Sequence, residues 1–232
     1  MPTRLLRMFV LAATICRFTP AVQSQNVTLH FRPVFFGKSI ALEQGLAGNN
    51  GDSLSIHTLR FYLSHFVFYK NGKEVWREKD SYHLLDMDDE NTMTIVFKSG
   101  AINDFDQINF LLGTDSLTNV SGAFGGDLDP TKGMYWAWNS GYINFKIEGF
   151  SEKCPAPNNL FQFHIGGYLP PYQTAQAVVL PVSEKNVIRV DVELSRFFEN
   201  IDWKDAHNVM SPGAEAARLA KTLPALFHIH AE

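Results

Sequence analysis

Apolar and polar residues alternate along much of this chain. Val27, Leu29 and Phe31 alternate with Thr28, His30 and Arg32, the period-two pattern of a half-buried strand. Ile188, Val190, Val192 and Leu194 alternate in the same way with Arg189, Asp191 and Glu193. An apolar and aromatic run over 54–70 is followed directly by Asn71-Gly72 and then by residues 73–77. Asn-Gly between two strand-like runs predicts a hairpin, because both turn residues must accept positive φ. Further strands are predicted over 82–85, 92–97, 107–112, 160–165 and 177–182. One continuous strand is predicted over 134–147, with Met134, Trp136 and Trp138 on one side. Helix is predicted only near the end: a short turn over 195–198, then a helix over 214–223 opened by Ser211-Pro212 and stopped by Pro224. About ten short strands separated by turn signals predict an all-β fold, an antiparallel β-sandwich with a short C-terminal helix.

The pattern breaks at two places. Residues 113–133 carry Gly113, Gly122, Gly125, Gly126, Gly133 and Pro130. Loops of this length are usually functional or specially packed. Asp115, Asp127 and Asp129 are expected to order this one through bonds to its backbone. The other break is the start. Arg4 and Arg7 precede an apolar stretch from Met8 to Ile15, and Val22 and Ser24 are small residues suited to a cleavage site. Residues 1–24 are therefore expected to be a secretory signal, and 25–232 one domain. No other run approaches the ~20 apolar residues needed to span a bilayer.

Composition changes the picture in two ways. Loss of residues 1–24 removes Arg4, Arg7 and Arg17 and no acid, which leaves 17 basic against 24 acidic side chains and a net charge of −7 in place of −4. Such a chain is a poor candidate for nucleic acid, whose binding rests on phosphate neutralisation. Of the two cysteines only Cys154 remains, so no internal disulfide is expected. There is no Gly-rich phosphate loop, His-Glu-x-x-His, Cys-x-x-Cys-His or Gly-x-Ser-x-Gly. The acidic run from Asp86 to Glu90 reads as a solvated turn.

Histidine is the remaining chemistry. His164 and His30 are expected to point away from the apolar faces of their strands, and His228 and His230 share one side of an extended segment. Imidazole together with the thioether of Met134 suits copper better than magnesium or calcium.

Residues 133–142, Gly-Met-Tyr-Trp-Ala-Trp-Asn-Ser-Gly-Tyr, with Lys146-Ile147-Glu148-Gly149 after them, resemble the signature of the MbnP family of exported copper-binding proteins. The segments 59–64, 82–86, 112–119, 128–130 and 163–166 agree, and the tail with His207, His228 and His230 resembles a Bacteroidetes-like branch. The resemblance implies a β-sandwich in the periplasm or cell envelope that binds copper as a carrier or store and is not itself an enzyme. It also implies a tryptophan, Trp136 or Trp138, oxidised to kynurenine by a partner dihaem peroxidase of the MbnH type. Indole nitrogen only donates, whereas the opened ring gains an aryl amine and a ketone with lone pairs. His164 is the best-matched ligand, with His30, His228, His230 and His207 as further candidates. Two departures stand out. Ser64 occupies a position where some relatives carry His, and strict alternation turns the adjacent His65 to the opposite face. The cysteine common after the His-x-Gly segment is missing. The alternative reading is an envelope interaction module that uses the long loop to bind a glycan or protein. A sandwich hydrolase ranks last, since no acid–base pair is evident.

Overall fold

The computed structural model describes residues 26–230 except 49, 50, 99–101, 103, 184 and 185; the expected signal segment lies outside the described residues. The chain opens with β1 (Val27–Phe35), β2 (Lys38–Ser39) and β3 (Leu46–Ala47). Next comes the long β4 (Ser53–Lys70), which turns through Asn71 and Gly72, at φ 49° and 74°, into β5 (Lys73–Arg77). The predicted hairpin is formed. β6 (Tyr82–Asp86), β7 (Thr94–Phe97) and β8 (Gln107–Leu112) follow. The Gly-rich segment holds α1 (Ser116–Ser121) and two short 3-10 turns. Then come β9 (Tyr135–Trp136), β10 (Gly141–Ser151), β11 (Leu160–Gly166), β12 (Gln176–Pro181) and β13 (Val187–Glu193). The last part carries α2 (Ser195–Phe198), β14 (Asn208–Val209), α3 (Ala214–Ala220) and β15 (Phe227–Ile229).

These strands make two facing sheets. The smaller has the order β15-β13-β1-β2, with β7 also on β1; the larger runs β12-β8-β4-β10-β11-β14, with β3, β5 and β6 on β4 and β9 on β10. Inward residues of both meet in one aromatic core. Phe31 of the small sheet lies 6.2 Å from Phe110 of the large one, and Phe61 lies 5.8 Å from Phe227 across the gap, both edge to face.

Pairing is mostly antiparallel, with two exceptions. β1 pairs parallel with β13, Thr28 to Val187 through Val34 to Glu193, and β11 pairs parallel with β14. Antiparallel order is imposed where a hairpin joins neighbours, and neither of these pairs is so joined.

Three expectations are corrected. The continuous strand over 134–147 is a hairpin: β9 ends at Trp136, the Asn139 amide donates to the Trp136 carbonyl, and Ser140 takes φ 47°. Asn-Ser-Gly is turn chemistry, and here it overrides the aromatic pattern around it. Helix is not confined to the end, because Asp115 caps α1 by accepting from the Thr118 amide. The C-terminal helix begins at Ala214 as predicted, but Gly213 and not Ser211 is its N-cap, and it stops at Ala220, short of 223.

The long loop is packed. Leu128, Met134 and Trp136 join Tyr62, Leu84, Tyr142 and Ile143 in a second, smaller core on the outer face of the large sheet. The loop acids order it as expected. Asp129 accepts from the Thr131 amide at 2.8 Å, and Asp127 from the Leu84 amide at 3.2 Å. The turn after β6 is likewise acidic, with Asp89 accepting from the Asn91 amide.

Candidate functional site

The outer face of the large sheet, beneath the loop, holds the best-matched residues. On β11, Phe163 and Ile165 enter the core, so His164 and Gly166 face outward. On β10, Phe145 and Ile147 face inward, and Lys146 and Glu148 stand outward. His164 lies opposite Lys146 and is only 6% exposed. Its Nε2 is 2.6 Å from Glu148 Oε1, and Lys146 Nζ is 3.6 Å from the same oxygen. The His164 hydrogen bond pulls the Glu148 carboxyl down to about 2 against the opposing effect of burial, and the Lys146 charge helps. An Nε2–H donated to Glu148 leaves Nδ1 with the free lone pair, the arrangement by which carboxylates orient metal-binding imidazoles.

Gly166 connects this histidine to the tryptophans. A Cβ at 166 would sit 2.6 Å from the Tyr142 carbonyl oxygen and 2.7 Å from Trp136 Cζ3, so only glycine lets the indole lie against the strand. Trp136 is therefore buried over the His164 strand, one same-face position along. Trp138 lies in the turn beyond β9 and is 67% exposed; the two ring centroids are 5.9 Å apart at 47°. The tryptophans do not share a strand face as expected. One is packed, and the other touches it from solvent. Met134 is fully buried in the small core.

His65 is also corrected. The pairing of β4 with β8 slips between Ser64 and Val67, and His65 takes φ 54°. Leu63 and Phe66 both enter the main core, so Ser64 and His65 fall together on the outer face. A bulge sets two residues against one and undoes strict alternation. Ser64 is buried and donates to the Gly113 carbonyl. His65 Nε2 lies 3.0 Å from Asp115 Oδ2, which also accepts from Tyr82 Oη at 2.5 Å. Burial raises the Asp115 carboxyl, but the bonds from Tyr82, the Thr118 amide and His65 outweigh it and hold the group well below the usual range. Burial and the same Asp115 bond push Tyr82 up to about 12.

The other histidines fall elsewhere. His228 and His230 flank Asp191 on the outer face of the small sheet. His230 Nδ1 is 2.9 Å from Asp191 Oδ2, and Arg32 bridges the same carboxylate. His30 is on that face too, with Nδ1 2.8 Å from Thr94 Oγ1, and β13 separates it from His230. His207 Nδ1 lies 3.2 Å from the Trp203 carbonyl. His164 thus stands on one side of the sandwich and His30, His228 and His230 on the other, and the fold forms no joint site from them. Among the described residues no group of three or more His, Cys, Asp or Glu is spaced to hold a metal ion. As encoded, the loop-covered face offers copper the His164 imidazole and no second nitrogen ligand from the adjacent indoles, which only donate. Glu148, Lys146 and Gly166 stand in the sequence within family-like segments, but nothing there assigns them a part beside His164. Period two marks Glu148 as outward, but the β10–β11 register that brings it to His164 leaves no local trace.

A family model described as MbnP matches residues 24–211. Among solved structures, MbnP from Methylosinus trichosporium superposes with a TM-score of 0.58 at 18% identity, over 83% of this chain and 82% of that one; the likeness shows a shared fold. A search of curated proteins finds no match. No helix among the described residues is long and apolar enough to cross a membrane.

Proposed function

The chain belongs to the MbnP family, and on that premise we propose that it is an exported copper-binding protein, a carrier or store and not an enzyme, whose working face is the loop-covered side of the large sheet. The observation that carries the reading is Trp136, seated on Gly166 beside His164 and in ring contact with exposed Trp138. His164, held through Nε2 by Glu148, presents Nδ1 as a ligand. The missing donors come from chemistry on a tryptophan. A dihaem peroxidase partner cleaves the C2–C3 bond of the Trp136 indole: two peroxide molecules supply one oxygen atom to each carbon and leave as two waters, and one water then hydrolyses the N-formyl group, releasing C2 as formate and leaving kynurenine. The benzo edge of Trp136, Cζ3 and Cη2, lies on Gly166, and the new aryl amine and ketone form on the pyrrole side of the ring. Trp138 is the ring the partner meets first.

The surroundings support a docking partner at this end. Leu117 is 76% exposed and Val120 68%, both on α1. Ser116 Oγ donates to the Tyr168 carbonyl, which ties α1 to the segment carrying exposed Leu169. Exposed apolar residues gathered at one end mark interaction surfaces.

The test combines peptide mass spectrometry and metal analysis on protein co-expressed with a dihaem peroxidase from the same host. Conversion at Trp136, copper bound by the converted protein, and loss of that copper in His164→Ala are expected. Both indoles intact after active partner and peroxide are supplied would defeat the kynurenine step. Copper content unchanged in His164→Ala would remove His164 from the site.

A further inference from the structure

A cavity of about 180 Å³ opens at the other end of the molecule, where the β1–β2 turn meets α2 and the segment after it. Four aromatic rings line it, Phe35, Phe36, Phe198 and Trp203, together with small and charged residues. The rings stand at several angles. Phe36 is 70° to Phe35 at 4.8 Å, Phe35 is 57° to Phe198 at 6.3 Å, and Phe198 stacks on Trp203 at 6°. A small occupant therefore meets more than one ring orientation.

Phe36 is the informative residue. It occupies the turn Phe36-Gly37 at φ 48° and 72°, a two-residue hairpin turn in which Asn-Gly is the favoured pair. A phenylalanine in the left-handed region is strained, and such residues persist only where the surroundings hold them. Here the Glu193 carboxylate holds the turn, accepting from the Phe36 amide at 2.9 Å and the Gly37 amide at 2.8 Å. The result is a ring 41% exposed to solvent at the cavity mouth, where a small polar residue would fold more easily.

The charge at the mouth selects the occupant. Asp52, Lys153 and Glu199 line it. Lys153 is engaged by Asp52 in an ion pair, and Glu199 is exposed with no ion pair among the described residues. The uncompensated charge is negative. Aromatic walls with a carboxylate at the opening suit a cation whose charge is spread over methyl groups, since ring faces attract cations and the methyls fill apolar space. We propose that this cavity is an aromatic cage for a small quaternary ammonium compound. The site lies apart from the tryptophan face and does not depend on copper.

The test is calorimetric titration of the full mature chain with choline and with its neutral isostere 3,3-dimethylbutan-1-ol. Choline is expected to bind at one site, at least about tenfold more tightly than the isostere. Phe36→Asn, which suits the turn and keeps the fold, should weaken choline by a similar factor, and Glu199→Gln should weaken it severalfold. Trp203→Leu should abolish binding, and far-ultraviolet circular dichroism checks its fold. Equal affinity for the two ligands, an unchanged affinity in Phe36→Asn, or no binding up to about 10 mM choline would each overturn the proposal.

Discussion

Two single atoms decide the geometry of the loop-covered face. The first is the missing Cβ of Gly166. Gly166→Ala would drive a methyl to within 2.7 Å of Trp136 and 2.6 Å of the Tyr142 carbonyl, and the backbone oxygen cannot swing aside. Overpacking of this kind costs about 1–3 kcal/mol. Urea unfolding should show that loss, with Trp136 displaced toward solvent and quenched more readily by acrylamide. The second is Glu148 Oε1, which fixes the His164 ring at 2.6 Å. Glu148→Gln keeps the shape and removes the charge, so copper affinity of the converted protein should fall roughly 10–100-fold, as for other outer-shell partners of ligating histidines. Metal-competition titration reads this directly. The outward placement of His164 is legible from plain alternation around Phe163 and Ile165. Its partner is not, because Glu148 reaches it across the β10–β11 pair, and that register relates two separate segments of the chain.

Elements were readable where turn chemistry stood clear and hidden where it was embedded. Asn71-Gly72 separates β4 from β5 and could be identified from two letters. Asn139-Ser140-Gly141 makes an equally sharp turn, but tryptophans and tyrosines on both sides extend the strand pattern through it. The β4 bulge at His65 carries neither Gly nor Pro, and the residue that stabilises it, Asp115, is 50 positions away. That bond makes the bulge sensitive to acid. The Asp115 carboxyl lies below its ordinary value in the folded chain. Its contribution is therefore complete above the unfolded carboxylate value, about 3.9, and is lost as pH falls below that. Asp115→Asn should lower stability by about 1–3 kcal/mol at neutral pH. It should also flatten the acid limb of stability between about pH 4 and pH 2. Urea midpoints measured across that range check both points, and an acid limb unchanged in the variant would show that the carboxylate is not the sensor.

For the molecule as a whole, two outer faces divide the chemistry. The loop-covered face of the large sheet holds the tryptophans and His164, and the opposite face holds His30, His228 and His230. Copper that depends on the first should survive replacement of His228 and His230 by Ala, and metal analysis of that double variant separates the faces. β15 also carries Phe227 into the core against Phe31, Phe61 and Phe110. Phe227→Ala should cost about 3–5 kcal/mol in urea unfolding, well beyond an ordinary terminal residue. The alternating pattern marked both faces as outward, yet nothing local told which sheet each strand would join. The parallel pairing of β1 with β13 is of that kind: it is a relation between distant segments.

That pairing has a consequence in time. Thr28 bonds to Asn186 and Val34 accepts from Leu194, so the first strand finds its central neighbour some 160 residues later. A chain emerging from one end, whether from a ribosome or through a translocation pore, cannot close the small sheet until nearly all of it is out. Contacts so distant along the chain slow folding, because loop closure comes before the reward. Until then β2 and β7 can pair with one edge of β1, and the edge that takes β13 stays open to wrong partners. A refolding experiment followed by hydrogen exchange should find the amides of β1 protected among the last, after those of the β4–β5 hairpin.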